Sequence, residues 1–97
     1  MSFIQTISFT TTRIDELQRI SEDFDRDNPS APGFVGVKIL KDRDRENAYL
    51  LIAEFETYEL AMENSNRPET DAFAKKMAAL VESGPEFGNY DVVMERT

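Results

Sequence analysis

Phe3, Ile7 and Phe9 recur at spacings of two and four with Gln5, Ser8 and Thr10 among them, which predicts a strand over residues 3–10. The period then lengthens. Ile14, Leu17, Ile20 and Phe24 fall on one helical stripe, predicting a helix over 13–27, with Thr12 and Asp15 spaced as a capping box that has Asp in place of Glu. Asn28 and Pro29 stop that helix, because the residue before a proline is pushed out of helical geometry, and Ser30, Ala31, Pro32 and Gly33 continue the turn. Phe34 to Lys41 and Ala48 to Glu56 are apolar, β-rich runs joined by the charged stretch Asp42 to Asn47, as in a hairpin. Thr57 is placed to cap a short helix through Ser65, Asn66 marks a break, and Pro68 suits the start of a further helical segment. Phe73, Met77, Leu80 and Val81 carry that segment to a stop at Gly84 and Pro85, after which Tyr90, Val92 and Met94 mark a last strand.

The predicted order is strand, helix, strand, strand, helix, strand: an α+β domain with a four-stranded antiparallel sheet, covered on one face by helices. The strands ask for more cover than that. In the third, Tyr49, Leu51, Ala53 and Phe55 alternate with Ala48, Leu50 and Ile52, so both faces are apolar, and in the second Val35, Val37 and Ile39 oppose Phe34 and Leu40. Fully burying each of Leu50 and Ile52 is worth roughly 1.5–3 kcal/mol, against a net stability of about 5–15 kcal/mol for a whole domain. The expected solution is a homodimer in which two sheets pack face to face across a two-fold axis. With 97 residues there is room for a single core and a single domain over 1–97.

Charge and composition narrow the chemistry. Nineteen acidic against eleven basic residues give a net charge of −8, and no basic stripe interleaved with aromatics occurs, so neither nucleic acid nor an anionic membrane is an expected partner. The N-terminal residues lack the basic start and apolar run of a secretory signal, and a cytoplasmic protein is the expectation. There is no cysteine, hence no disulfide, thiolate metal site or cysteine nucleophile, and no histidine, the usual base near neutral pH and the commonest ligand of zinc and haem iron. No metal and no cofactor is expected. Asp23, Asp25 and Asp27, and less closely Asp42, Asp44 and Glu46, imitate the start of a calcium loop. Both lack the glycine at the sixth position and the glutamate at the twelfth, where Phe34 and Ala53 stand, and both read as solvated charge.

The run Pro32-Gly33-Phe34-Val35-Gly36-Val37, the strand Tyr49 to Phe55 and the segment Thr57 to Pro68 together resemble the dimeric α+β barrel superfamily, and within it the antibiotic-biosynthesis-monooxygenase-like domains. The resemblance covers nearly the whole chain. It implies a ferredoxin-like βαββαβ fold dimerised through its sheets. It also implies a small apolar or aromatic ligand and an activity such as the cofactor-independent oxidation of polycyclic aromatic compounds. Relatives often carry a tryptophan after the third strand and a histidine on the second helix. Here the corresponding region reads Phe55-Glu56-Thr57-Tyr58 and then Glu59 to Asn66 without histidine, which argues against haem degradation.

Asn64, Asn66 and Arg67 form the most distinctive polar cluster, where the helical segment breaks. Two amides and a guanidinium can orient a carbonyl or stabilise an enolate, with Asn64 and Arg67 as catalytic candidates; the same residues also suit a capped helix break before Pro68. Tyr49, Phe55, Tyr58, Asn66 and Phe73 are the candidate substrate contacts. The tyrosines can stack on an aromatic ligand or simply pack with their hydroxyls in solvent. Phe9, Phe24, Phe55, Phe73 and Met77 would wall an apolar pocket or fill a core. A noncatalytic binding protein of the same fold is the alternative, and an isomerase would need Glu54 or Glu59 turned into the pocket.

Overall fold

The computed structural model describes residues 2–29 and 31–97; Met1, and Ser30 within the loop expected over Asn28 to Gly33, lie outside the described residues. In chain order the elements are β1 (Phe3–Thr10), α1 (Ile14–Asp27), β2 (Phe34–Lys41), β3 (Ala48–Phe55), α2 (Tyr58–Ser65), α3 (Pro68–Leu80) and β4 (Ser83–Asp91). The strands form one sheet in the order β2-β3-β1-β4 with every neighbouring pair antiparallel, the ferredoxin-like arrangement. Among the described residues no helix is long and apolar enough to cross a membrane.

Alternation along the strands divides the sheet. Phe3, Gln5, Ile7 and Phe9 of β1 stand opposite Phe55, Ala53, Leu51 and Tyr49 of β3, so these eight share a face. The helices cover it: Phe9 and Leu51 form a buried cluster with Leu17 of α1 and Met77 of α3, and Phe3 and Phe55 form another with Ala61 of α2. The opposite face carries Ile4, Thr6 and Ser8 of β1 against Glu54, Ile52 and Leu50 of β3, flanked by Leu40 and Tyr90, which are 41% and 58% exposed.

Thr11 joins four of these elements. It is fully buried just past β1, and its N–H donates to the Asn47 carbonyl at 2.9 Å, holding the end of the β2–β3 hairpin. Its Oγ1 accepts the Arg13 N–H at 3.0 Å, satisfying a donor at the start of α1, and donates to the Leu80 carbonyl at 2.6 Å, closing the end of α3. The N-terminus of α1 therefore lies beside the C-terminus of α3, and the two helices run antiparallel across the sheet.

Two expectations are corrected. The capping box is not formed: α1 begins after Arg13 with no side-chain cap, Thr11 takes the capping duty, and Thr12 Oγ1 instead donates to Glu82 Oε1 at 3.1 Å. The last strand lies earlier than the apolar pattern Tyr90, Val92 and Met94 suggests. β4 starts at Ser83 and runs through Gly84 and Pro85, while Val93 and Met94 lie beyond it, 82% and 71% exposed. The reason is that α3 stops at Leu80, the Glu82 N–H reaches the Thr10 carbonyl at 2.8 Å, and Ser83 pairs with Thr10 across a bulge. Proline is tolerated there because β4 is an edge strand.

Other local expectations hold. Thr57 Oγ1 accepts the Leu60 N–H at 3.1 Å, Pro68 opens α3, and the break between α2 and α3 falls at Asn66 and Arg67. At the charged hairpin tip Asp42 Oδ1 accepts the N–H groups of Asp44 and Arg45, which holds its carboxyl below the usual carboxylate range and makes the tip a turn. Gly33 has φ +76° and faces Leu60 so closely that a Cβ would collide with it, fixing the entry into β2 against α2.

Replacing Thr11 by valine should lower stability by about 2–4 kcal/mol, because it strands the Leu80 carbonyl and the Arg13 N–H while leaving the packing volume in place. Chemical denaturation against the parent chain measures the difference.

Candidate functional site

The clamp at Thr11 closes only one end of the α1–α3 pair. Towards the other end, from Ser21 to Asn28 on α1 and from Thr70 to Met77 on α3, the helices and the sheet enclose a cavity of about 290 Å³. That places it at the lower edge of the roughly 300–1,000 Å³ typical of small-molecule sites. Phe24, Phe34, Phe55, Phe73 and Phe87 line it, five of the seven phenylalanines in the chain. Phe24 and Phe73 meet across the helix pair with ring centroids 4.9 Å apart, and Phe34 meets Phe55 edge-on at 5.6 Å across the β2–β3 pair. Phe87, on edge strand β4, lines the cavity and is 59% exposed, so the cavity is open to solvent on that side.

The polar groups are few and unevenly satisfied. Asn64 near the end of α2 and Thr70 in the first turn of α3 both line the cavity, and Asn64 Oδ1 and Thr70 Oγ1 are buried without a hydrogen-bond partner among the described residues. Such a group costs about 1–3 kcal/mol while it stays unpaired. Gln5 lines the floor, its Nε2 directed at Asn89 Oδ1 at 3.5 Å. Two carboxylates reach the cavity, Asp25 and Asp71, and neither Lys nor Arg does. Asp71 is paired with Lys75 at 3.1 Å, whereas burial pushes the Asp25 carboxyl up. Among the described residues no group of three or more His, Cys, Asp or Glu side chains is arranged to hold a metal ion.

No family model and no curated protein sequence matches the chain. Solved structures do. SnoaB, a cofactor-independent oxygenase from Streptomyces nogalater, superposes with a TM-score of 0.82 at 21% identity, covering 97% of this chain and 95% of that one. A protein from Caulobacter crescentus assigned as an antibiotic biosynthesis monooxygenase gives 0.82 at 11% identity, with 96% and 91% covered. One from Bordetella bronchiseptica with the same assignment gives 0.80 at 14%, with 96% and 98% covered. The chain has the antibiotic-biosynthesis-monooxygenase fold. At these identities the likeness carries the fold alone.

Within this monooxygenase-type fold the expected site residues are dispersed. Asn64, Phe55 and Phe73 line the cavity. Arg67 does not; it borders an adjoining recess with Pro32, Leu60 and Glu63, where it pairs with Glu69 at 3.3 Å, and Asn64 is the residue shared between recess and cavity. Asn66 serves as the C-cap of α2, its N–H bonded to the Met62 and Glu63 carbonyls. Tyr49 stacks on Phe9 at 5.9 Å, and Tyr58, half exposed, packs edge-on against Phe3 at 5.2 Å, so neither is part of the cavity wall. Of the expected apolar wall, Phe24, Phe55, Phe73 and Met77 are in place and Phe9 belongs to the core. Thr70, Asp25, Gln5 and Phe87 were not anticipated. The signal for the α1 face was there in Ser21 and Asn28, polar residues at helical spacing from Leu17 and Phe24 on an otherwise apolar stripe.

Thr70→Val keeps the side-chain shape and removes the unpaired hydroxyl, so it should raise stability by about 1 kcal/mol, or roughly 4–8 °C in Tm for a domain of this size. Differential scanning calorimetry of the two ligand-free proteins reads this directly.

Proposed function

We propose that the chain binds a small, neutral, largely apolar aromatic molecule in this cavity. We further propose that it oxidises the ligand with molecular oxygen, without metal or flavin, as a homodimer joined through the uncovered sheet faces. The observation that carries the reading is the cavity itself, walled by five phenylalanine rings with Asn64 and Thr70 among its few polar residues. Phenyl faces favour a flat π-system by offset or edge-on contact, and the polar side chains of Gln5, Asn64 and Thr70 favour a ligand with a hydroxyl or carbonyl on its edge. The absence of Lys and Arg from the lining disfavours carboxylate or phosphate ligands, since nothing compensates the cost of desolvating their charge.

Oxidation of an electron-rich aromatic by oxygen asks little of the protein. Once a proton is removed, the substrate carbanion is itself the reductant, so the protein need only bind, orient and deprotonate. Asn64 is the orienting group: its amide carries an acceptor and two donors, and the donors can stabilise charge that develops on a ring oxygen. The similarity to SnoaB, whose activity is cofactor-independent oxygenation, supports the reaction class. The cavity volume supports an open binding site over one filled by the chain's own Phe and Met side chains. Dimerisation is supported by Ile4, Leu40, Leu50 and Ile52, apolar side chains on the face the helices leave bare.

With anthrone as probe, the purified protein should consume oxygen, and Asn64→Ala should weaken binding of the aromatic about 2–10-fold, the worth of one neutral hydrogen bond. No oxygen uptake with any anthrone or quinol, together with unchanged affinity in Asn64→Ala, would overturn the reading. Light scattering should give twice the 11.1 kDa chain mass, and Ile52→Asp should shift it towards the monomer.

A further inference from the structure

We propose that Asp25 is the base of this site: its carboxylate, on the cavity rim between Ser21 and Asn28, takes the proton from the acidic C–H of the bound aromatic. The inference rests on the aromatic-binding reading of the cavity and does not depend on the oxygen step that follows.

Three aspartates close α1 and they are not equivalent. Arg26 binds Asp23 at 3.0 Å and Asp27 at 3.6 Å, and neither of those residues lines the cavity. Asp25 does line it, and among the described residues it has no ion pair and no side-chain hydrogen bond. Helical geometry explains the difference, since Asp25 lies four residues after Ser21 and three before Asn28, both on the cavity side.

The surroundings of Asp25 suit proton abstraction. From α3 the one charged cavity group is Asp71, which Lys75 holds at 3.1 Å. From α2 the cavity groups are the neutral Asn64 and Ser65, and from the strands they are Gln5 and apolar side chains. Asp25 is thus the cavity carboxylate that no cation stabilises. Desolvation raises its carboxyl, and a carboxylate with a higher pKa is the stronger base, closer in strength to what removal of a carbon-bound proton near neutrality needs.

In the step itself the C–H bond of the ligand breaks and its electron pair stays on the conjugated ring system. The proton forms the O–H of Asp25, and the negative charge spreads to a ring oxygen within reach of the Asn64 amide. Asp25 is exposed, so the proton then leaves to solvent. This is proton transfer alone, and it proceeds with or without oxygen.

The test is anaerobic hydrogen–deuterium exchange at the methylene of anthrone in D2O, followed by NMR, beside the binding of anthraquinone, which lacks the exchanging hydrogens. The wild type should accelerate exchange, with a rate that falls as pH drops through the elevated pKa of Asp25. Asp25→Asn should slow the exchange about a hundredfold or more while anthraquinone affinity stays within about threefold. Asp25→Glu should recover part of the rate, and Asp23→Asn should leave it intact. The folded-state carboxyl is raised by desolvation, so ionised Asp25 disfavours folding above that pKa, and Asp25→Asn should melt at or above the wild-type temperature near pH 7. Equal exchange in Asp25→Asn and wild type, or no acceleration by the wild type, overturns the proposal. Should Asp25→Asn fail to fold, a pH-independent wild-type rate or full activity of Asp23→Asn at a changed pH dependence overturns it instead. Exchange without oxygen uptake leaves the base in place and removes the oxygenase reading, so the two fail separately.

Discussion

The side chain of Thr11 is the constraint on which the rest of the architecture turns. A buried hydroxyl that accepts from the N-cap residue of one helix and donates to the last carbonyl of another ties the start of the first to the end of the second. Its backbone N–H adds the β2–β3 hairpin to the same point. With α1 and α3 tied at that end, the Leu17, Met77, Phe9 and Leu51 cluster fills the adjacent space, and the separation at the far end is occupied by the Phe24 and Phe73 rings. The cavity lies where the clamp no longer acts and the side chains are too few to close the gap.

The same division separates satisfied from unsatisfied polar groups. The Thr11 end satisfies its polar groups within the chain. The Asn64 and Thr70 end leaves acceptors unpaired, and Asp25 stays without a counter-ion while its neighbours on α1 share Arg26. Groups left unsatisfied in this manner lower the stability of the protein.

Much of the fold was legible in the sequence because local and tertiary signals agreed. The strand runs Phe34 to Lys41 and Ala48 to Phe55, the cap at Thr57 and the helix start at Pro68 each have one dominant interpretation. β4 was displaced because Ser83-Gly84-Pro85-Glu86 has the composition of a turn and acquires strand geometry only through pairing with β1. The capping box at Thr12 was misleading because the neighbouring Thr11, made accessible by the hairpin and α3, captures the helix start. At the site, Asn64, Phe55 and Phe73 were recognisable from residue type and position. Asp25 was not, since in a row of alternating aspartates only the packing of α1 against α3 decides which one meets the cavity.

The two faces of β1 have a consequence for how such a protein can change over generations. Phe3, Gln5, Ile7 and Phe9 look towards the helices, with Gln5 and Ile7 touching the cavity, while Ile4, Thr6, Ser8 and Thr10 occupy the bare side. Adjacent codons thus govern unrelated surfaces, and drift at odd positions reshapes the helix-covered side and the cavity wall while even positions shape the uncovered side. A single-residue insertion within β1 would exchange the two sets at once, so this strand tolerates substitution far better than any shift in length.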